Sequence, residues 1–239
     1  MNKTKINKEF LNLSQEDIIR MKFEEIASSL EFNEEKHKYT VKDEAGTRYI
    51  LPSVTEIKAP YDPDFTIIPR EILERKTSIG VHVHKKAEAE HKEDANINPF
   101  AEIGEIQDKE IAGYSKAMDN YMKDYESNDR GIYLKEVKLF NPLHMYAGTA
   151  DCIEIIDGRL TIIDYKTVAK LDIKRITLQL TGYYLALLAQ GVGDIVELPP
   201  EAIIVQLKGD GTYKTVKTAI TQLEVGAFVG LVQLYNYFK

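Results

Sequence analysis

Along the chain, apolar residues fall into two rhythms. They recur every three or four positions in some stretches and alternate with polar ones in others, and these are the periods of helices and strands. The segment "LSQEDIIRMKFEEIASSL" has the helical rhythm within a polar N-terminal arm running to about residue 30. "KYTV" and "RYIL", parted by the turn-forming "DEAG", predict a hairpin. Ser53 and Glu56 in "SVTE" have capping-box spacing and predict a short helix. Helices are expected from Ser78 to Lys92 and from Ala101 to Ser127, joined by the linker "KEDANINPF"; the second carries Ile103, Ile106, Tyr114, Met118, Tyr121 and Tyr125 at mostly helical spacing.

The C-terminal half alternates more tightly. "IYLKEVKLF" reads as a strand, "NPLH" as a turn, and 148–167 as a second hairpin. "IKRITLQLTGYYLALLAQG" is a helix apolar on most sides, followed by strands "EAIIVQL" and "TYKTVKTAI" about a "GDG" turn. A last helix spans Glu224 to Phe238. Strand 160–167, helix 174–190 and strand 202–207 predict a right-handed parallel crossover. The fold class expected is α/β (α+β): a central mixed β-sheet flanked by helices, as one domain over 36–239, with a helical arm over 1–35.

The hairpin in 148–167 carries candidate chemistry. Asp157-Gly158 is a strong two-residue turn signal. Counting outward from it pairs Ile156 with Arg159, Ile155 with Leu160, Glu154 with Thr161, Ile153 with Ile162 and Cys152 with Ile163. Asp151 then faces Asp164. Alternation puts Ile153, Ile155, Leu160 and Ile162 on one face, with Asp151, Asp164 and Lys166 at its end. Two ionised carboxylates about 5 Å apart repel by roughly 3 kcal/mol at an effective dielectric near 20. A shared proton, the Lys166 ammonium or a divalent cation would offset that. A buried ion pair and a magnesium or manganese site both fit, since hard oxygen donors suit those ions.

Composition narrows the setting. The 239 residues are 44% apolar and 29% charged, the balance of a globular protein. No apolar run approaches the roughly 20 residues of a membrane span, and "MNKTKINKEF" lacks the core of a secretory signal, so a cytoplasmic location is the default expectation. Cys152 is the only cysteine, which excludes an internal disulfide and a four-cysteine iron–sulfur cluster. The net charge of −7 argues mildly against non-specific nucleic-acid binding, an objection that weakens if carboxylates hold cations.

The ordered set of Asp151 in "GTAD", Asp164 and Lys166 in "DYKT", then Gln179 and Tyr183 in "QLTGY" resembles the PD-(D/E)XK nuclease superfamily, most closely its RecB-like and phage exonuclease branch. "IGVHVHKKAE" is similar to the helical Gly-X-X-Val-His motif of that branch, and Glu136 in "LKEVKLF" to a glutamate on the strand before the hairpin. The resemblance covers about residues 36 to 210. It implies a restriction-endonuclease-like core and a divalent-metal-dependent DNA nuclease, with an exonuclease of phage or mobile-element recombination as the leading reading. It also implies catalytic roles for Asp151, Asp164, Lys166, Gln179 and Tyr183. One or two magnesium or manganese ions would be held by His84 (His82 in the other register), Asp151, Asp164 and the Tyr165 carbonyl. Glu88, Glu136, Lys170, Lys174 and Arg175 would be supporting or DNA-contacting residues. The implied partners are DNA and a recombination or single-strand annealing protein, with no membrane. A homo-oligomer is compatible but nothing in the sequence requires one. The competing reading is a catalytically silent module that keeps the fold and binds DNA or a protein.

Overall fold

The structure, a computed structural model, describes residues 13–43, 45–62, 68–89, 109–126, 132–156 and 158–239. Side chains at 84–89, 110, 125 and 126 fall outside that description. So do the expected linker, the first turns of the helix placed from Ala101, and Asp157 of the hairpin turn.

Helix α1 (Gln15–Ser28) starts at a capping box, in which Ser14 and Asp17 each satisfy the other's backbone N–H. It buries Ile19, Phe23 and Ile26. A small antiparallel sheet follows, of β1 (Leu30–Asn33), β2 (Lys38–Lys42) and β3 (Arg48–Leu51) in that order. The β2–β3 hairpin is the expected one. Strand β1 is an addition, and its pairing with β2 puts the arm–domain boundary expected at residue 35 inside a hairpin turn. Ser53 caps α2 (Val54–Lys58) by accepting from the Glu56 N–H. The Glu56 carboxylate lies 3.5 Å from Lys38 Nζ and accepts from Tyr235 Oη, which joins the small sheet and the C-terminal helix to this turn. Helices α3 (Arg70–Ala89) and α4 (Lys109–Glu126) come next.

The main sheet is mixed and has the order β4-β5-β6-β7-β8, with β4 Tyr133–Asn141, β5 Tyr146–Ile156, β6 Arg159–Lys166, β7 Glu201–Leu207 and β8 Tyr213–Ala219. Between β6 and β7 runs α5 (Ile173–Ala189), and those two strands are parallel, as the strand–helix–strand pattern predicts. The chain ends in α6 (Gln222–Phe238).

The sheet is covered on both sides. Ile153, Leu160, Ile162 and Ile204 pack with Ile19 and Phe23 of α1, Val54 and Ile57 of α2, Leu180 and Leu187 of α5, and Phe228 of α6. Cys152, Ile163, Tyr165 and Val205 point the other way, into Ile79 and Val83 of α3 and Met118 and Tyr121 of α4. Burying one hydrophobic set on each face fixes the register, since a one-residue slip would exchange the two. A third cluster of Leu30, Tyr39, Val41, Leu51 and Ala147 fastens the small sheet to β5. The Ala147 N–H donates to the Pro52 carbonyl at 2.9 Å. The architecture is therefore a mixed α/β one, a central multi-strand sheet flanked by helices.

Candidate functional site

The β5–β6 ladder runs in the register counted from the turn, from Ile156–Arg159 to Cys152–Ile163. Gly158 takes φ 75°, the left-handed conformation such a turn needs. One step past the last pair stand Asp151 and Asp164. The β4–β5 ladder pairs Lys135 with Cys152 and Val137 with Ala150, which leaves Glu136 opposite Asp151. Glu136, Asp151 and Asp164 thus occupy one row across three adjacent strands, about 4.8 Å per step.

Each of the three is held differently. Asp164 is 1% exposed, and its Oδ1 accepts from Lys166 Nζ at 2.8 Å. Asp151 is half-buried, and its Oδ2 accepts from the Tyr165 backbone N–H at 2.8 Å, so the carboxylate takes over where the ladder stops. Glu136 is exposed and has φ 46°, an uncommon conformation for a residue with a Cβ. Burial works against the charged Lys166 amine, but the Asp164 and Asp151 carboxylates beside it prevail and raise its pKa above the usual lysine value.

Helix α5 supplies the other wall. Gln179 and Tyr183, one turn apart, share a face, and Gln179 Nε2 donates to Tyr183 Oη at 3.1 Å. Tyr183 is buried, and burial, with Asp151 and Asp164 nearby, pushes its pKa well up. Its hydroxyl is therefore a neutral donor, with its own proton still to give. The ring lies against Gly148, where an added Cβ would come within 2.7 Å of Tyr183 Cε1 and 3.2 Å of Val54 Cγ2. A glycine inside a strand often marks such a close approach. That was the available signal for Gly148, whose role no motif announced.

These groups surround one open cleft of about 530 Å³, whose lining includes Glu136, Gly148, Asp151, Lys166, Gln179 and Tyr183. His37 and Tyr39 of the small sheet, Ser53 and Thr55 at the start of α2, and Val81 of α3 complete its rim. Tyr39 Oη and Thr149 Oγ1 are hydrogen-bonded at 2.8 Å, two residues from Asp151. Gln206 of β7 donates to the carbonyls of Val168 and Ala169 at 2.8 and 3.0 Å, pinning the chain just after Lys166. Neither Tyr39 nor Gln206 stands out in the sequence as a site residue.

Of the two histidine registers, His82 is buried against α4, with Nε2 3.4 Å from Ser115 Oγ. It faces the helical layer and does not line the cleft. The side chains of His84 and Glu88 lie outside the described residues. Tyr165 turns its side chain to the far face, where its hydroxyl meets that of Tyr133 at 2.9 Å. Lys170 and Lys174 line a separate surface depression, and Arg175 sits 3.4 Å from Asp172. The cleft does not gather them. Among the described residues no group of three or more His, Cys, Asp or Glu side chains converges closely enough to hold a metal.

No protein-family model and no curated protein matches the chain. Among solved structures it is similar to the crystal structure of a protein designated SSO0001, at 14% identity over 95% of this chain and 88% of that one. The TM-score of 0.36 is too low to carry an assignment. Among the described residues no helix is long and apolar enough to cross a membrane.

Proposed function

We propose that the chain is a divalent-metal-dependent DNA nuclease of the PD-(D/E)XK type, with a restriction-endonuclease-like core, acting as an exonuclease on DNA ends. The observation that carries this reading is that Asp151, Lys166, Gln179 and Tyr183 border one open cleft, with the buried Asp164 carboxylate bonded to Lys166 behind it, although they span more than thirty residues of sequence. The donor set fits a hard cation: two carboxylates on neighbouring strands, Asp151 lining the cleft and Asp164 buried behind it, with Lys166 already offsetting part of their charge. Asp151 and Asp164 would hold magnesium or manganese, and His84 is the further ligand implied by the family resemblance. The ion, when bound, supplies Lewis acidity and a more acidic water.

The chain's own residues do the rest. Asp164 fixes the Lys166 ammonium where negative charge grows on the phosphoryl oxygens as water attacks phosphorus. Tyr183, its oxygen occupied by the Gln179 amide, is left with its O–H to donate to a phosphate oxygen. Gly148 allows the ring close enough to do so.

The test is to incubate the pure protein with linear DNA and manganese, magnesium or EDTA. Metal-dependent loss of DNA by the wild type, absent in Asp164→Asn, is the expected outcome. A folded protein that leaves DNA intact with either metal refutes the enzyme and favours the catalytically silent module, which the net charge of −7 leaves open.

A further inference from the structure

The rim contributed by the small sheet is not explained by phosphodiester chemistry. Among the described non-glycine residues only His37, Glu136 and Met145 have positive φ, and two of these three, His37 at 49° and Glu136 at 46°, line the cleft. Residues held in sparsely populated backbone regions cluster at ligand sites, where the surrounding structure keeps them in place. His37 is exposed at the β1–β2 turn and belongs to a three-ring cluster. Its centroid is 5.2 Å from that of Phe32, nearly perpendicular at 82°, and 6.3 Å from that of Tyr39 at 73°. Phe32 and Tyr39 lie 4.5 Å apart at 31°. Lys138 Nζ stands 5.4 Å over the Phe32 ring, and the Tyr39–Thr149 hydrogen bond ties the cluster to the strand bearing Asp151. An exposed ring is thus braced from behind and keyed to the candidate catalytic strand.

We propose that His37 is a base-stacking platform, and that the cleft takes the end of a single DNA strand. Resting on the nuclease reading, this assigns a substrate form to the same site. The cleft has the volume of a small-ligand pocket. The terminal nucleotide of a strand is of the size such a space takes. Stacking on an aromatic ring is sequence-tolerant, because every base has a π-face. A strand whose terminal base lies on His37 runs its backbone along the rim toward Asp151 and Lys166. Lys36, exposed beside His37 in the same turn, adds positive charge next to that ring.

The test uses a single-stranded, phosphorothioate-linked oligonucleotide ending in 2-aminopurine, titrated with the full chain in manganese. Stacking quenches the 2-aminopurine fluorescence. His37→Asn removes the ring while keeping a residue suited to the left-handed backbone, and His37→Phe restores a ring. Wild type and His37→Phe should quench and bind alike. His37→Asn should bind about 5- to 100-fold more weakly. Equal affinity and quenching in wild type and His37→Asn, with cleavage intact, overturns the platform and leaves the nuclease standing. Preference of the wild type for blunt duplex over single strand also overturns it. Neither binding nor cleavage by wild type sinks both readings.

Discussion

Replacing Lys166 with methionine takes the ammonium from beside Asp164 and keeps most of the side-chain length. Asp164 is 1% exposed and Lys166 22% exposed by side chain, so the change leaves a buried carboxylate without its 2.8 Å partner. Removing one member of a buried pair costs about 3–5 kcal/mol. The partial exposure of Lys166 puts this case at the low end, about 3 kcal/mol. In a chain of this size that lowers the melting temperature by roughly 6–12 °C. Thermal unfolding in EDTA measures it. The double variant Asp164→Asn/Lys166→Met has no stranded charge and should recover at least half the loss, a non-additivity expected of residues in contact. A single variant melting within about 2 °C of wild type, or strictly additive effects, would refute the buried-pair reasoning.

Gly148→Ala forces a methyl to within 2.7 Å of the Tyr183 ring and should cost about 1–3 kcal/mol, read as a lower melting temperature together with weaker cleavage. Gly182→Ala meets the Phe228 ring at 2.6 Å, and should lower the melting temperature by a comparable amount through the α5–α6 contact. Tyr183→Phe keeps the ring and removes the donor; cleavage kinetics should show kcat falling by about 10²-fold with little change in KM. The Lys166 pKa is raised in the folded state, so its contribution to stability is complete below the ordinary lysine value of about 10.4 and fades as pH climbs through the folded value. In EDTA, the stability gap between wild type and Lys166→Met should therefore narrow above about pH 10.4; a gap that is flat or widens there counts against the pair.

Much of the sheet was legible because the Asp-Gly turn and strict alternation act together. The turn sets the pairing, and alternation places Ile153, Ile155, Leu160 and Ile162 on one face and Cys152 and Ile163 on the other. The parallel β6–β7 crossover was legible for a similar reason, a buried helix between two apolar strands. Strand β1 was not, because "LEFN" continues the apolar spacing of α1 and earns its strand only by pairing with β2. Gly148 against Tyr183 and His37 against Phe32 depend on contacts between elements, which local patterning does not encode. Lys170, Lys174 and Arg175 follow the Asp-X-Lys motif closely in sequence, yet none lines the cleft: Asp172 caps α5 there, Lys170 and Lys174 line a depression of their own, and Arg175 pairs with Asp172.

The central claim, that the Asp151–Asp164 row is a cation site, meets its most direct test in a calorimetric titration of the metal-free protein with manganese. Saturable binding by the wild type, lost or severely weakened in both Asp151→Asn and Asp164→Asn while each variant still unfolds cooperatively, is the expected result. Manganese uptake unaffected by either substitution, or no uptake by the folded wild type, would contradict it.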